Sequence, residues 1–313
     1  MTVLLTGPTG FVGQALCARM VQDKIHVCAA VRSPVTVLTD IENTVVGDID
    51  GATDWQAALR GITAVIHLAA RVHVMNDKAQ KPLAEFRRVN VQGTLNLAQQ
   101  AAVAGVQRLV YVSSVKVNGE STLLGQAFCE SDAPNPQDAY AISKHEAELG
   151  LRKLAAQTGL EVVIIRPPLV YGPGVKANFA ALMHAVQKGW PLPLGAVHNL
   201  RSLVALDNLV DFILTSTIHS QAANQTFLIS DGQDLSTSDL VRGLAQAAGV
   251  SARLISIPVG VLHWAACLLK RGDAVDRLSS NLQLNIAKAQ AVLGWKPPVS
   301  VQEGLLRAVR GNA

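Results

Sequence analysis

The sequence predicts an α/β protein with a doubly wound parallel sheet and a smaller C-terminal part of mixed α/β structure. Two observations support this fold class. Short β-branched runs alternate with helical patterns through the first two-thirds of the 313 residues. These runs are apolar without polar alternation, which is typical of parallel strands that helices cover on both faces. Hydrophobic residues make up 49% of the chain and charged residues 16%, which is enough apolar material for a large core.

Strands and helices are expected in alternation along this first region. The expected strands are "TVLLTG" (2–7), "HVCAAVR" (26–32), "AVIHLAA" (64–70), "RLVYVSS" (108–114) and "EVVIIRP" (161–167). The expected helices cover residues 11–22, 55–61, 83–104 and 138–158. Helices that connect parallel strands pack on the faces of the sheet, so this order predicts helices on both sides of it.

The pattern loosens after Pro167, where proline and glycine become frequent. The run "TFLIS" (226–230) predicts one more strand of the main sheet, so the smaller part is interwoven with the first domain. We therefore expect a larger domain formed by residues 1–166 and 202–230. The smaller part is expected to consist of residues 167–201 and 231–313.

Composition argues against several classes of protein. The net charge is +4, no block of like charges occurs and aromatic residues make up 4%, so we expect no nucleic-acid partner. The four cysteines lie outside CxxC pairs and away from histidines at metal-ligand spacing. This pattern predicts reduced thiols and no metal site.

Targeting and membrane signals are also missing from the sequence. The start "MTVLLTG" has neither the basic residues nor the cleavage site of a signal peptide, which predicts a cytoplasmic protein. The longest apolar stretch, "PVGVLHWAACLLK" (258–270), is shorter than the ~20 residues that cross a bilayer. It predicts a buried helix and no membrane span, with docking on a membrane surface as the alternative.

The segment "TGPTGFVG" (6–13) lies between the first strand and the first helix, where a nucleotide-binding loop is expected. Gly7 allows a tight turn, Gly10 allows a pyrophosphate to approach the backbone, and Gly13 allows the helix to pack on the sheet. The helix N-terminus would face the phosphates. This context predicts a Rossmann-like dinucleotide site with candidate contacts at Gly7, Thr9, Gly10, Phe11, Val12 and Gly13.

The end of the second predicted strand bears on the choice of cofactor. It reads "AAVRS", with Arg32 near the place where an NAD site has an acidic residue for the ribose 2′-hydroxyl. A guanidinium suits a 2′-phosphate, so the sequence predicts NADP(H) and leaves NAD(H) open. The alternative for Arg32 is a solvated side chain at a strand end. Farther on, "GDID" (47–50) places Asp48 and Ile49 at an expected strand end, where they could flank the adenine.

Tyr140 and Lys144 lie four residues apart in "AYAISKHEAE" (139–148). In a helix this spacing puts both side chains on one face. A nearby cation makes the ionised phenol easier to reach, although a tyrosine normally titrates near pH ~10. By itself the spacing fits either an acid–base catalyst or an ordinary surface contact.

Several motifs occur in a fixed order: "TGPTGFVG", "GDI", "HLAA" (67–70), "NVQGT" (90–94), "YVSS" (111–114), "YAISK" (140–144) and "RPPLVYGPG" (166–174). Together they resemble the extended short-chain dehydrogenase/reductase family, in its nucleotide-sugar epimerase and dehydratase branch. The resemblance continues through residues 199–211 and 287–305, so it covers nearly the whole chain.

The resemblance implies a role for each matched catalytic position. Tyr140 would be the acid/base, and Lys144 would support it and hold the nicotinamide ribose. Ser114 would hydrogen-bond the reacting oxygen, although Ser113 beside it leaves open which hydroxyl faces the substrate. Asn90 would support the site behind Lys144.

Further contacts are implied for both ligands. The larger domain would bind the dinucleotide, and its remaining candidate contacts are Leu68, Ala69, Ala70, Asn90, Ser113, Tyr140, Lys144 and Pro167. The smaller part would bind a nucleotide sugar, for which the candidates are Asn178, Arg201 and Arg277. Arg71 and His73 of the larger domain are further substrate candidates because they follow a cofactor-binding strand, with an ordinary loop position as the alternative. For Arg277 a solvated side chain is an equal alternative. A homodimer through residues 83–104 and 138–158 is also implied, although packing of these helices on the sheet explains their apolar content equally well.

Departures from the family pattern guide the functional hypotheses. Lys116 and Asn118 stand where many sugar epimerases carry Thr and Tyr, which argues against simple epimerisation. No acidic residue follows Ser114, so dehydration is not expected. "HLAARVHVMND" (67–77) and "RLSSNLQLN" (277–285) resemble bacterial enzymes of polysaccharide biosynthesis that reduce UDP-4-keto-6-deoxy-N-acetylglucosamine.

The first hypothesis is therefore an NADPH-dependent reductase of a UDP-4-keto-6-deoxy-N-acetylhexosamine, with Tyr140 as the proton donor at C4. The alternative is a UDP-hexose 4-epimerase, acting on UDP-glucose or UDP-N-acetylglucosamine with the same residues. A third hypothesis is a non-catalytic dinucleotide sensor. The presence of Ser114, Tyr140 and Lys144 argues against a sensor, which has no need of them.

Overall fold

A parallel sheet forms the centre of the molecule. The computed structural model describes residues 1–35, 41–72, 81–268 and 272–311. The described strands are β1 Thr2–Thr6, β2 His26–Val31, β3 Glu42–Val45, β4 Ala64–His67, β5 Arg108–Val112, β6 Glu161–Arg166, β7 Leu169–Tyr171, β8 Leu203–Ala205 and β9 Thr226–Leu228. All except β7 and β8 belong to one parallel sheet with the order β3-β2-β1-β4-β5-β6-β9.

The strand order places a ligand crevice between β1 and β4. The chain runs outward from β1 through β2 to β3, and then returns to the other side of β1 at β4. Connections therefore leave β1 and β4 in opposite directions, and their carboxyl ends open a crevice of the kind in which α/β proteins bind dinucleotides. The prediction of a doubly wound parallel sheet is confirmed.

Helices cover both faces of this sheet. They are α1 Phe11–Gln22, α2 Pro82–Phe86, α3 Thr94–Val103, α4 Ala139–Thr158, α5 Ala177–Gln187, α6 Leu206–Ile218, α7 Thr237–Ala248, α8 Val259–Leu268, α9 Gly272–Ser279, α10 Ala287–Leu293 and α11 Val301–Arg310. Helices α1 and α6 pack on one face in one core cluster, and α3 and α4 pack on the other face in a second cluster.

The smaller part has a core of its own. Strands β7 and β8 pair in parallel as a two-stranded sheet, and α5, α7 and α11 pack around it. Strand β9 forms within residues 226–230, where a strand was predicted, and it lies beside β6 at the edge of the main sheet. The chain therefore returns to the large sheet after entering the small one. The exact division of the chain between the two parts stays a prediction.

Three expectations about local structure are wrong. Residues 55–61 form turns rather than a helix, and the Trp55 side chain is buried in the core cluster that α3 and α4 form on one face of the sheet. The amide of Leu59 bonds to the Trp55 carbonyl as in an α-helix, but the amides of Arg60 and Ile62 bond to carbonyls only three residues back, so no regular helix continues. The expected helix 83–104 is divided by a π-helical segment, Arg87–Gly93. A strand end was expected at Asp48 and Ile49, but β3, "ENTV", already ends at Val45, and its polar, largely exposed residues carry little strand signal.

The described part of the apolar stretch, residues 258–268, is not a buried helix either. In α8, Val261 is 53% exposed and Trp264 is 67% exposed. The helix packs on α9 at the margin of the smaller part rather than under the sheet, so its apolar composition does not predict burial. Within the described ranges, none of the helices has the length and apolar character that crossing a bilayer requires.

Candidate active site

The loop between β1 and α1 has backbone geometry that only glycine allows. Gly7 has φ +70°, and a Cβ added there would lie 2.9 Å from the amide nitrogen of Ala69. A Cβ at Gly13 would lie 2.1 Å from the carbonyl oxygen of Gly7. Gly10 precedes the first residue of α1 and provides no side-chain cap, so the first amide groups of the helix are available to an anion. The loop therefore fits a dinucleotide pyrophosphate.

The segment after β4 is fixed beside this loop by a buried histidine. The Thr6 hydroxyl accepts a hydrogen bond from the amide of Ala69 at 3.1 Å and is 2.7 Å from Nδ1 of His67. His67 Nε2 lies 2.9 Å from the Thr94 hydroxyl. Burial, with a smaller effect of the Lys144 charge, lowers the pKa of His67 to about 3, so the ring is neutral. These bonds hold the half-buried residues Leu68, Ala69 and Ala70 next to Gly7.

Tyr140 and Lys144 lie on the first two turns of α4. The helix starts where the Asp138 carboxylate accepts a hydrogen bond from the amide of Ala141 at 2.7 Å. Lys144 is 2% exposed, and its Nζ lies 5.9 Å from the centre of the Tyr140 ring. Burial lowers the pKa of Lys144 to about 7, and Glu148 opposes this shift. Burial raises the pKa of Tyr140, and the charge of Asp138 adds to the effect.

The two adjacent serines have different environments. Ser113 is buried, and its hydroxyl donates to Glu148 Oε1 at 2.6 Å. Ser114 is only partly buried, and its hydroxyl accepts a hydrogen bond from the amide of Lys116 at 3.2 Å. Ser113 therefore uses its side chain within the protein, and a cofactor contact of this residue is left to its carbonyl group. Of the two hydroxyls, that of Ser114 remains available to a substrate.

Asn90 joins the segment after β4 to the helix that carries Tyr140. Its Oδ1 accepts from the amide of Arg71 at 2.7 Å, and its Nδ2 donates to the Arg71 carbonyl at 3.0 Å. The same Nδ2 donates to the Ser143 hydroxyl at 3.0 Å, which in turn donates to the carbonyl of Tyr140 at 2.7 Å. Asn90 lies in the π-helical segment, a type of distortion that is frequent at functional sites.

Two candidate adenosine contacts meet at the end of β2. Arg32 and Asp48 form an ion pair with 3.0 Å between Nε and Oδ1, and their side chains are 81% and 71% exposed. An exposed pair of this kind contributes little to stability. Ile49 packs against Gly93, where an added Cβ would lie 2.6 Å from Ile49 Cγ2. The guanidinium that suggested NADP(H) thus has a carboxylate beside it.

The candidate substrate residues are only partly brought together. The Arg71 guanidinium lies 5.4 Å from the centre of the Phe86 ring, and Phe86 contacts Tyr140 edge-on at 6.2 Å, so Arg71 is close to the catalytic pair. Arg201 donates to the carbonyl and hydroxyl of Ser280, both at 3.0 Å, and burial lowers its pKa.

The other candidates are less informative. Asn178 is the exposed second residue of α5, and buried Pro167 accepts a hydrogen bond from the amide of Val115 at 3.0 Å. Arg277 lies in α9, but its side chain is not described, and His73 lies outside the described residues. No group of His, Cys, Asp and Glu side chains suited to a metal ion occurs among residues 1–35, 41–72, 81–268 and 272–311.

A buried ion pair beside the serines was not expected from the sequence. Glu148 is 0% exposed and Arg166 is 2% exposed, with 2.9 Å between Arg166 Nε and Glu148 Oε1. Two signals for it exist in the sequence. Glu148 follows Lys144 by one helical turn, and Arg166 is a charged residue at the end of the apolar run "EVVIIRP".

Comparison with known proteins agrees with this arrangement. The model of the family described as "NAD dependent epimerase/dehydratase family" matches residues 3–230. A curated Vibrio cholerae protein named UDP-glucose 4-epimerase is 47% identical over 307 residues, which are 97% of this chain and 93% of the relative.

Solved structures have the same architecture. One described as MoeE5 in complex with UDP-glucose and NAD has 25% sequence identity and a TM-score of 0.79, covering 99% of this chain and 98% of its own. UDP-glucose 4-epimerase from Thermotoga maritima, solved with UDP-glucose, has 23% identity and a TM-score of 0.78 with the same coverage. The second likeness shows the fold alone.

Proposed function

The chain belongs to the NAD-dependent epimerase/dehydratase family of extended short-chain dehydrogenases/reductases, and on that premise we propose that it is a UDP-hexose 4-epimerase. The observation that carries the proposal is the 47% identity to a UDP-glucose 4-epimerase over 97% of this chain. Of the two enzymatic hypotheses from the sequence, this similarity favours the 4-epimerase over the 4-ketoreductase. Family membership makes the chain an enzyme, so a non-catalytic sensor is not retained.

The proposed reaction inverts C4 of the hexose through a 4-keto intermediate. When bound, the nicotinamide cofactor would supply the hydride chemistry needed to oxidise C4 and to reduce it again from the opposite face. Tyr140 takes the proton of the C4 hydroxyl and later gives it back, so one residue serves both halves of the reaction. The Ser114 hydroxyl donates a hydrogen bond to the C4 oxygen and holds it in place.

Lys144 has an electrostatic role in this proposal. Its ammonium lies 5.9 Å from the centre of the Tyr140 ring. A positive charge at this distance favours the ionised phenol, in opposition to the burial that raises the pKa of Tyr140. Burial also lowers the pKa of Lys144 to about 7, and the charge of Glu148 opposes this shift. The protonated fraction of Lys144 near neutral pH therefore depends on the groups around it.

We propose NAD(H) as the cofactor, held by Gly7, Gly10, Gly13 and the uncapped start of α1. The description of the family and the NAD in the MoeE5 structure support this choice. The ion pair between Arg32 and Asp48 also supports it, since the carboxylate offsets the charge that would attract a 2′-phosphate. NADP(H), which Arg32 alone suggested, is the competing cofactor.

The experiment for this function uses the purified protein with no added reductant. UDP-glucose and UDP-N-acetylglucosamine are each incubated with the protein and NAD, and the anomeric protons are followed by NMR. We expect the C4 epimer to accumulate to equilibrium with no net change in nicotinamide absorbance. Tyr140→Phe should stop the conversion. Absence of any epimer with both sugars would overturn the proposal.

A 4-ketoreductase remains the second candidate because of Lys116. Its Nζ lies 2.6 Å from Asp138 Oδ2 and 3.0 Å from Glu120 Oε1, in the segment that follows Ser114. Many sugar epimerases carry an uncharged residue there, and a charged one indicates a different substrate. Supplying UDP-4-keto-6-deoxy-N-acetylglucosamine with NADPH tests this candidate. A reductase would oxidise one equivalent of NADPH for each keto group lost.

We also propose a cytoplasmic homodimer formed through α3 and α4. Exposed apolar side chains on these helices support the interface: Val103 is 81% exposed and Leu149 is 52% exposed. Burying such side chains between two copies is favourable. Light scattering behind a size-exclusion column measures the mass, and Leu149→Lys should shift it towards that of one chain.

A further inference from the structure

Glu148 is a buried carboxylate in the middle of α4, one turn beyond Lys144. Its Oε1 accepts hydrogen bonds from the Ser113 hydroxyl at 2.6 Å and from Arg166 Nε at 2.9 Å. Its Oε2 accepts from Arg166 Nη2 at 2.5 Å and from Arg152 Nη2 at 3.1 Å. Every one of these donors belongs to the protein, so the carboxylate is fully bonded without solvent.

This ion pair holds both ends of a short segment that includes Ser114. At the first end, Glu148 binds the hydroxyl of Ser113. At the other end, Arg166 Nη1 donates to the side-chain oxygen of Asn118 at 2.9 Å. Between the two contacts lie Ser114 and the single 3₁₀ turn Val115–Val117. We call residues 113–118 the serine segment.

The first of these contacts determines which way the Ser114 hydroxyl points. Ser114 has an extended backbone, with φ −158° and ψ 146°. Successive side chains of extended chain point to opposite sides. With the Ser113 hydroxyl bound to Glu148 in the interior, the Ser114 hydroxyl points the other way. Releasing Ser113 would remove the contact that selects this orientation.

Stability alone is a weak explanation for the pair. A buried ion pair pays a desolvation cost, and well-packed apolar residues in its place are often as stable or more so. Beside the catalytic helix, Glu148 binds Ser113 at one end of the serine segment, and Arg166 binds Asn118 at the other end. A role in placing Ser114 explains both contacts.

We propose that Glu148, through its ion pair with Arg166, is a positioning residue of the reaction: it clamps the serine segment at both ends and thereby holds the Ser114 hydroxyl at the reacting C4 oxygen. This inference rests on the proposed function, in which Ser114 binds that oxygen. Glu148 itself does not touch the substrate. Its effect on turnover is therefore expected to pass through Ser114.

A double-mutant cycle tests this dependence. Glu148→Gln and Ser113→Ala are each made in the natural chain and in a Ser114→Ala background, and kcat and KM for UDP-glucose are measured. In the natural chain we expect each change to lower kcat by about 10- to 100-fold with KM nearly unchanged, as small misplacements of a catalytic group do. In the Ser114→Ala background the same changes should alter kcat by about twofold or less, since the group they position is gone.

Arg152→Gln is the matched control. Arg152 binds the same carboxylate from a partly exposed side chain and donates its other hydrogen bond to the Thr226 hydroxyl, outside the serine segment, so its loss should leave kcat within about twofold. Ser113→Ala decides the question if Glu148→Gln does not fold. Equal losses in both backgrounds, or no loss in the natural chain, would overturn the inference alone. A natural chain that converts neither UDP-hexose would overturn the proposed function and this inference with it.

Discussion

The ammonium group of Lys144 donates a 2.8 Å hydrogen bond to the carbonyl oxygen of Val112, the last residue of β5. This bond joins the helix that carries Tyr140 to the strand that leads into the two serines. Nζ also lies 4.5 Å from the centre of the Tyr111 ring, where a cation is attracted to the face of an aromatic side chain. Lys144 is therefore held by the fold before any ligand binds.

Replacing Lys144 should abolish most of the activity. Lys144→Met keeps the apolar stem and removes the charge that favours the ionised Tyr140, so we expect kcat for UDP-glucose to fall by about 100-fold or more. Lys153→Met on the exposed side of the same helix is the control and should leave kcat within about twofold. If Lys144→Met retained full turnover, Tyr140 would not depend on this cation.

The same lysine should make stability depend on pH in the ligand-free protein. Its pKa is about 7 in the folded chain, below the ordinary value of 10.5, because it is buried. Between these pH values the unfolded chain binds the extra proton, so the free energy of unfolding rises as pH rises.

Urea unfolding at a series of pH values from about 7 to 9 measures this effect. The free energy of unfolding of the natural chain should rise relative to that of Lys144→Met, by up to about 1.4 kcal/mol for each pH unit. The raised pKa of Tyr140 acts with the opposite sign, but only above its ordinary value of 10.0, outside this range. Parallel pH profiles for the two proteins would show that Lys144 has no lowered pKa.

The sheet and the catalytic helix were predictable because their signals are local. The apolar runs predicted six strands of the main sheet, and helix α1 has the predicted bounds 11–22. Tyr140 and Lys144 share a helix face because their spacing requires it. The bounds of strand β3 could not be predicted, since "ENTV" is a polar edge strand held by pairing with β2.

The supporting contacts of the site depend on tertiary structure. Glu148 and Arg166 are 18 residues apart, and only the packing of α4 against β6 brings them together. The burial of a helix is equally non-local: α8 is apolar in sequence and yet exposes Trp264. Such outcomes depend on which elements become neighbours, which no short stretch of sequence encodes.

The two glycines of the dinucleotide loop should respond differently to alanine. At Gly13 an added Cβ would lie 2.1 Å from the Gly7 carbonyl oxygen and 2.8 Å from Pro8 Cα, so the loop must move. We expect Gly13→Ala to lower stability by about 2 kcal/mol or more and to abolish dinucleotide binding. At Gly10 the nearest atom is 3.3 Å away and φ is −76°, which any residue adopts.

Gly10→Ala requires only a small shift of the Gly7 carbonyl oxygen, so it should cost much less stability than Gly13→Ala. It should bind the dinucleotide about tenfold more weakly, because the methyl group would meet the pyrophosphate. Thermal unfolding and calorimetric titration with NAD measure the two effects separately. Natural NAD affinity in Gly10→Ala would mean that the pyrophosphate does not approach the backbone there. Natural stability in Gly13→Ala would show that the loop relaxes at little cost.

The pairing of Arg32 with Asp48 gives a test of cofactor choice. Both side chains are exposed, at 81% and 71%, so changing either one should hardly affect stability and leaves binding as the readout. We expect the natural chain to bind NAD more tightly than NADP, since Asp48 both offsets the guanidinium and repels a 2′-phosphate.

Asp48→Asn should strengthen NADP binding by about tenfold, or about 1.4 kcal/mol, with little change for NAD. Arg32→Gln is the matched change on the other partner, and it should weaken NADP binding relative to the natural chain. Calorimetric titrations of the three proteins with NAD and with NADP measure these affinities, at one fixed ionic strength because salt screens exposed charges. Tighter binding of NADP by the natural chain would instead assign Arg32 to the 2′-phosphate, as the strand-end arginine first suggested.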